Sequence, residues 1–157
     1  MIFIVNGQPK GKSRARTFYD KRINKMRSIT PEQTKSYEEL IRWCYKASGG
    51  EYLGDKPISL TIKAYYEIPK SFSKSKRLQA LQGQLRPLVK PDIDNVCKSV
   101  LDALNGVAYY DDKQVISVVC EKWYAEKGCL EIEVKNNIWK ALIYLGKWEI
   151  AQVVISL

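Results

Sequence analysis

Ile58, Leu60, Ile62, Ala64, Tyr66 and Ile68 stand at every second position, with mostly polar residues between them. Successive side chains of an extended chain point to opposite faces, so this run specifies a strand with one buried face. Such a face needs a covering layer, and helical patterns occur on both sides of it in the chain. Thr30-Pro31-Glu32-Gln33 reads as a helix start, with Thr30 as N-cap, Pro31 in the first turn and Gln33 at the capping-box position. Tyr37, Leu40, Ile41 and Cys44 then fall at i, i+3, i+4 and i+7 and give that helix its buried stripe. Ser48-Gly49-Gly50 ends it. A second helix is expected over about 94–104. Its apolar face is Val96, Cys97, Val100, Leu101 and Leu104, its polar face Asn95, Lys98 and Asp102, and Asn105-Gly106 closes it.

The remaining segments are shorter. Residues 1–5 read as a strand broken by Asn6-Gly7-Gln8-Pro9. Strand patterns recur at about 114–125 and 129–134, with Lys127-Gly128 expected to join them as a hairpin. Residues 20–29 read as a loop. Residues 71–83 are polar and basic, and Leu78 with Leu81 hint at one short helix.

Charge is unevenly spread. The 157 residues carry a net charge of +9, which favours a polyanionic partner without fixing a function. Residues 1–27 hold eight basic residues and one acid, and residues 70–90 hold six basic residues and no acid. Lys10, Lys12, Arg14 and Arg16 alternate, which in extended backbone puts four cations on one side. Both stretches, the second including Lys74, Lys76 and Arg77, can line a phosphate track. The bland alternative for the first is a charged edge strand that resists aggregation.

The chain has no histidine, which excludes histidine general bases and Ser-His-Asp or Cys-His catalysis. The four cysteines, Cys44, Cys97, Cys120 and Cys129, lack metal-ligand spacing and read as small apolar fillers in a reducing cytoplasm. No signal peptide or transmembrane segment is expected. Residues 138–157 are largely apolar but are interrupted by Lys140, Lys147 and Glu149.

Against this basic background stands an acidic motif. Lys90-Pro91-Asp92-Ile93-Asp94-Asn95-Val96-Cys97-Lys98 places two carboxylates two residues apart, and Asp111-Asp112 follows. If extended, Asp92 and Asp94 would share one side of the chain. Like charges that close require a proton or a cation between them, and a hard divalent cation suits oxygen ligands. Asp111 or Asp112 is a candidate third ligand. Lys98, one helical turn beyond Asp94, is a candidate to neutralise a phosphate or leaving oxygen. Taken singly, Asp94 reads equally as an N-cap, Asp94 with Lys98 as a helix pair, and Asp111-Asp112 as an exposed turn. Together, beside two basic tracts, they point to metal-assisted cleavage of a phosphodiester.

The residues resemble a known family. The run from Lys90 to Lys98, followed by Asp102-Ala103-Leu104-Asn105-Gly106 and Tyr110-Asp111-Asp112-Lys113-Gln114-Val115, resembles the RusA family of Holliday-junction resolvases. The basic opening Gly7-Gln8-Pro9-Lys10-Gly11-Lys12-Ser13-Arg14-Ala15-Arg16 and the Thr30-Pro31 helix start are similar too. The resemblance covers about residues 1–135 and implies a resolvase domain there; residues 136–157 extend past it as a C-terminal extension of unknown role, expected to pack on the same domain or at the dimer interface. It implies a Mg²⁺-dependent endodeoxyribonuclease of DNA recombination and repair, with Mn²⁺ able to substitute. It further implies a homodimer whose subunits each nick one of two opposed strands of a four-way junction or other branched DNA. The family's catalytic aspartates fall on Asp92, Asp94 and Asp112, its catalytic lysine on Lys98, and Asp111 on a neighbouring acid.

Patterns and resemblance together give an α+β fold, a mixed sheet of about five strands with two main helices on it. Asp92, Asp94 and Asp112 are expected to bind the metal, with Asp111 as a further candidate. Lys10, Lys12, Arg14, Arg16, Lys74, Lys76 and Arg77 are expected to hold the DNA backbone. The competing reading is a non-catalytic module that binds branched or single-stranded DNA, which would use the basic tracts but not the carboxylates.

Overall fold

The alternating run does form a strand, and it becomes the centre of the molecule. The computed structural model describes residues 1–14 and 16–136, with Arg16 described by its backbone alone. The expectation for residues 136–157 lies, beyond Asn136, outside the described residues. The elements run β1 (Ile2–Asn6), β2 (Arg16–Asp20), β3 (Lys25–Ile29), α1 (Glu32–Ala47), β4 (Ile58–Glu67), α2 (Lys74–Leu81), α3 (Ile93–Leu104), a 3-10 turn (Asp112–Gln114), β5 (Val115–Ala125) and β6 (Cys129–Asn136). The fold is α+β, with a mixed four-stranded sheet in the order β1-β6-β4-β5 and a separate β2-β3 hairpin.

In β4 the alternate residues Ile58, Leu60, Ile62, Ala64 and Tyr66 are buried. Phe3 and Val5 of β1 and Leu130, Ile132 and Val134 of β6 extend the same apolar layer. Helices α1 and α3 cover it through Tyr37, Ile41 and Tyr45 and through Val96, Val100, Ala103 and Leu104. Phe3 meets Tyr45 edge-on with ring centroids 5.4 Å apart. Burying one such aliphatic or aromatic side chain contributes roughly 1.5–3 kcal/mol.

Several expectations are corrected. Residues 20–29 are not a loop: they hold the hairpin turn and strand β3, paired antiparallel with β2. The signal is missing because β3 is exposed on both faces, so nothing selects an apolar alternation. Lys127-Gly128 does not join neighbouring strands. β5 pairs parallel with β4, β6 pairs antiparallel with β4, and β4 lies between them. A glycine turn reports a reversal of the chain but not which strand fills the gap. The main sheet has four strands rather than five, because residues 10–14 run beside α3 instead of joining it, with the Lys12 N–H donating to the Asn95 carbonyl at 2.9 Å.

The α1 start also differs. Pro31, at φ −56° and ψ 142°, precedes the helix, and no side chain caps it. Thr30 is thereby one residue too early to reach the first-turn N–H groups. The buried stripe is Thr34, Tyr37, Ile41 and Tyr45, while Leu40 is 39% exposed. The hinted short helix is present as α2, packed against β5.

Candidate active site

Helix α3 begins one residue earlier than its pattern indicated, at Ile93. Asp92 is therefore the N-cap and Asp94 lies inside the first turn. The extended i, i+2 argument for their convergence does not hold, since Asp94 is helical. Yet Asp92 does not behave as an ordinary cap. Its side chain makes no capping hydrogen bond, although capping is what an N-cap aspartate usually does. The Asp94 carboxylate receives only the neighbouring Asn95 side chain, at 3.4 Å. Both acids are exposed.

The segment before Asp92 is held from the sheet. Lys122 of β5 donates to the Val89 carbonyl and, at 3.0 Å, to the Pro91 carbonyl, across the cis Lys90-Pro91 bond. Its ammonium also lies 5.1 Å from the centre of the Tyr66 ring. The Tyr66 hydroxyl is buried without a hydrogen-bond partner among the described residues. Burial pushes its ionisation up to about 12, with Cys120, Tyr37 and the Asp92 carboxylate adding to the effect. Sequence reading missed Lys122. The available signal was a lysine at a position that the strand register places on the core side, opposite Ala64.

The second pair of acids divides its roles. The Asp111 carboxylate accepts from the Lys113 N–H at 3.0 Å, and the Asp111 N–H donates to the Gln114 Oε1 at 2.9 Å. This is a capping box, so Asp111 organises the turn. Gln114 ties the turn down by donating to the Gly54 and Lys56 carbonyls at 2.8 and 3.1 Å. The Asp112 carboxylate has no such partner among the described residues. Burial chiefly, then Asp112 and Asp102, raise the ionisation of the adjacent buried Tyr109. Tyr109 in turn donates to the Leu101 carbonyl at 2.9 Å.

Lys98 is exposed on α3 and makes no ion pair among the described residues, so the helix pair with Asp94 that its spacing permits is not formed. Lys12, by contrast, is engaged. Its ammonium pairs with Asp102 and lies 3.7 Å from Glu38. Burial works against its charge, but Asp102 and Glu38 outweigh that and raise its ionisation above the ordinary lysine value. Lys12 thus staples the basic arm to α3, rather than pointing all four alternating cations one way. Gly11 permits the close approach. A Cβ there would stand 2.6 Å from the Pro91 Cβ and 2.9 Å from the Asn95 Cβ.

Arm and helix start enclose a groove of about 610 Å³, lined by residues 11–14, 90–92 and Asn95. Arg14 and Lys90 supply its cations beside the Asp92 carboxylate. Lys10, also exposed, lies 5.8 Å from the centre of the Tyr37 ring. On α2, Lys74 is exposed, Lys76 sits 4.6 Å from the Phe72 ring centre, and Arg77 pairs with Glu126.

The donor chemistry fits a hard divalent cation: Asp92, Asp94 and Asp112 offer oxygen ligands that the protein's own donors scarcely use. Among the described residues, however, no three Asp, Glu, Cys or His side chains are already gathered into a ligand set.

The acid-bearing helix start thus stands between basic segments on an α+β scaffold, oxygen donors suited to a hard cation beside cations suited to phosphates. The chain belongs to the RusA endodeoxyribonuclease family, whose model, described as Endodeoxyribonuclease RusA, matches residues 6–135. It is also 34% identical over 136 residues to a Bacillus subtilis (strain 168) protein described as "Uncharacterized protein YqaN", covering 85% of this chain and 94% of that one. Family membership implies a Holliday-junction resolvase acting on branched DNA, and the family is typically metal-dependent. No helix among the described residues is long and apolar enough to cross a membrane.

Proposed function

We propose that this protein is a Mg²⁺-dependent structure-selective endonuclease that resolves four-way DNA junctions by paired nicks in opposed strands. One observation carries the reading. Of the acids in the motif, Asp102 and Asp111 are bound within the protein, whereas Asp92, Asp94 and Asp112 lack strong protein partners. Those are the three positions at which the family resemblance puts the catalytic aspartates.

Asp92, Asp94 and Asp112 would hold Mg²⁺, or Mn²⁺ in its place, with Asp111 supporting the turn. A bound cation supplies Lewis-acid polarisation of the scissile phosphate and a water of lowered pKa. The uncapped first turn of α3 presents backbone N–H groups suited to a phosphate. Lys98 stabilises negative charge growing on the phosphate. Lys10, Arg14, Arg16, Lys74, Lys76 and Arg77 bind backbone phosphates, and Lys12 holds the arm in place. Residues 1–135 form the resolvase domain. A homodimer matches the near two-fold symmetry of a junction. The cysteines Cys44, Cys97, Cys120 and Cys129 are free thiols, which suits a cytoplasmic protein.

The alternative, a DNA-binding module without cleavage, draws support from the lack of a ready-gathered ligand set among the described residues. A labelled four-way junction separates the two. Mg²⁺-dependent conversion into nicked duplexes is expected. Binding with an intact junction, in Mg²⁺ and in Mn²⁺, would favour the alternative.

A further inference from the structure

The β2-β3 hairpin has no role in the site as described, and its surface is unusual. Its strands pair only with each other. Residues 17–29 are exposed apart from Asp20. A lone two-stranded hairpin is marginally stable in water, and an isolated one gains little by displaying large apolar side chains. This one displays Phe18, Tyr19 and Met26, which are 43%, 52% and 65% exposed. Residues 14–29 also carry six basic residues and one acid. That acid, Asp20, is already occupied by Arg27 at 3.2 Å and by the Arg22 N–H at 3.0 Å.

The hairpin is rooted at the candidate active site. Ser13 and Arg14 line the groove that contains Asp92 and also line a second depression with Ile29 and residues 30–33 at the hairpin base. The turn is shaped rather than slack: Asn24 adopts φ 52°, and the Tyr19 hydroxyl donates to its side chain. Strand register puts Tyr19 opposite Met26 on one face and Phe18 opposite Arg27 on the other. The register gathers the strand cations Lys25 and Arg27 on the Phe18 face, and Lys21 and Arg22 stand in the turn beyond Tyr19.

We propose that this hairpin is a DNA arm that selects branched substrates. Lys21, Arg22 and Lys25 contact backbone phosphates, while Phe18 and Tyr19 stack on bases exposed at the branch point. The charge selects a polyanion as occupant. The aromatic faces select base surfaces, which continuous duplex conceals and a branch point exposes. The inference rests on the nuclease reading for its choice of branched DNA, but its test does not require cleavage.

The test uses the full chain, a fluorescein-labelled synthetic four-way junction and a duplex of equal length, titrated in EDTA. Phe18→Ala with Tyr19→Ala should weaken junction binding about 10-fold and duplex binding by less than about threefold. Lys21→Ala, Arg22→Ala and Lys25→Ala together should weaken both and lower the slope of log K against log salt by about 0.9 per lost phosphate contact. Because Tyr19 supports the turn, a third variant replaces residues 17–28 with a short Gly-Ser linker; it removes the aromatic and the basic residues together, so it should weaken junction binding at least as much as either other variant and lower the salt slope, at an unchanged melting temperature. Junction binding like the parent's in all three variants overturns the proposal. A shift of the linker variant to a smaller species in sedimentation also overturns it, assigning the hairpin to contact between copies of the chain. A parent that binds the junction selectively yet never nicks it sinks the nuclease reading and leaves the arm intact.

Discussion

The Lys122 ammonium, projecting from β5, donates to the carbonyl of Pro91 at 3.0 Å, one residue before Asp92. The bond carries the position of the sheet to the α3 N-cap. Lys122 touches no reacting group, so it is a positioning residue. Lys122→Met should lower the single-turnover cleavage rate about 10-fold while junction binding stays within about threefold. Charged hydrogen bonds contribute about 1.5–3 kcal/mol, so the melting temperature should also fall by several degrees. Lys122→Arg should recover most of the rate, and failure to do so would reduce Lys122 to a packing role.

Asp92→Asn, Asp94→Asn and Asp112→Asn should each lower junction cleavage by at least about 100-fold without weakening binding. Asp111→Asn should act differently. The amide oxygen still caps the turn, so the variant should retain most activity and lose at most about 1 kcal/mol of stability. Equal damage from Asp111→Asn and Asp112→Asn would refute the division of labour between them.

Lys98→Ala should lower the cleavage rate on the order of 100-fold at saturating protein, and affinity much less. Since Lys98 makes no ion pair with Asp94, its loss should leave the melting temperature within about 1 °C. A rate within about threefold of the parent would leave Lys98 a surface residue.

Lys12 and Arg14 should separate cleanly in salt titrations. Arg14→Ala should reduce the salt slope by about 0.9. Lys12→Ala should leave the slope nearly unchanged and loosen the arm, because its ammonium already faces Asp102 and Glu38. The pair is partly exposed, so its worth is about 1 kcal/mol or less. Its pKa is raised, so this stabilisation is complete below the ordinary lysine value of 10.5 and is lost as pH climbs through the raised value. Parent and Lys12→Ala should therefore converge in melting temperature under strongly alkaline conditions.

Much of the fold was legible where one side of an element is buried. The alternation from Ile58 to Tyr66 located β4, and Val96, Val100 and Leu104 located α3, to within a residue or two. The hairpin strand β3 was not legible, because a strand wet on both faces carries no apolar period. Strand adjacency escaped too, since the turn at Gly128 is the same whether β6 returns beside β5 or one strand further along. At the site, the acids were visible by type and spacing. The difference between Asp111 and Asp112 was not, because it depends on which carboxylate the turn uses for its own hydrogen bonds. Lys122 went unseen for a related reason: its partners are backbone carbonyls far away in sequence.

The sheet order bears on how a ribosome can deliver this protein. β1 leaves the exit tunnel first, yet its sheet partner is β6. β4 emerges midway, and both its neighbours follow it. Until β5 is synthesised, the nascent chain can complete only local pieces, the helices and the β2-β3 hairpin, and even then β1 and one edge of β4 stay unpaired until β6 follows. Translation stalled inside residues 105–128 would leave a species primed to aggregate or to recruit a chaperone.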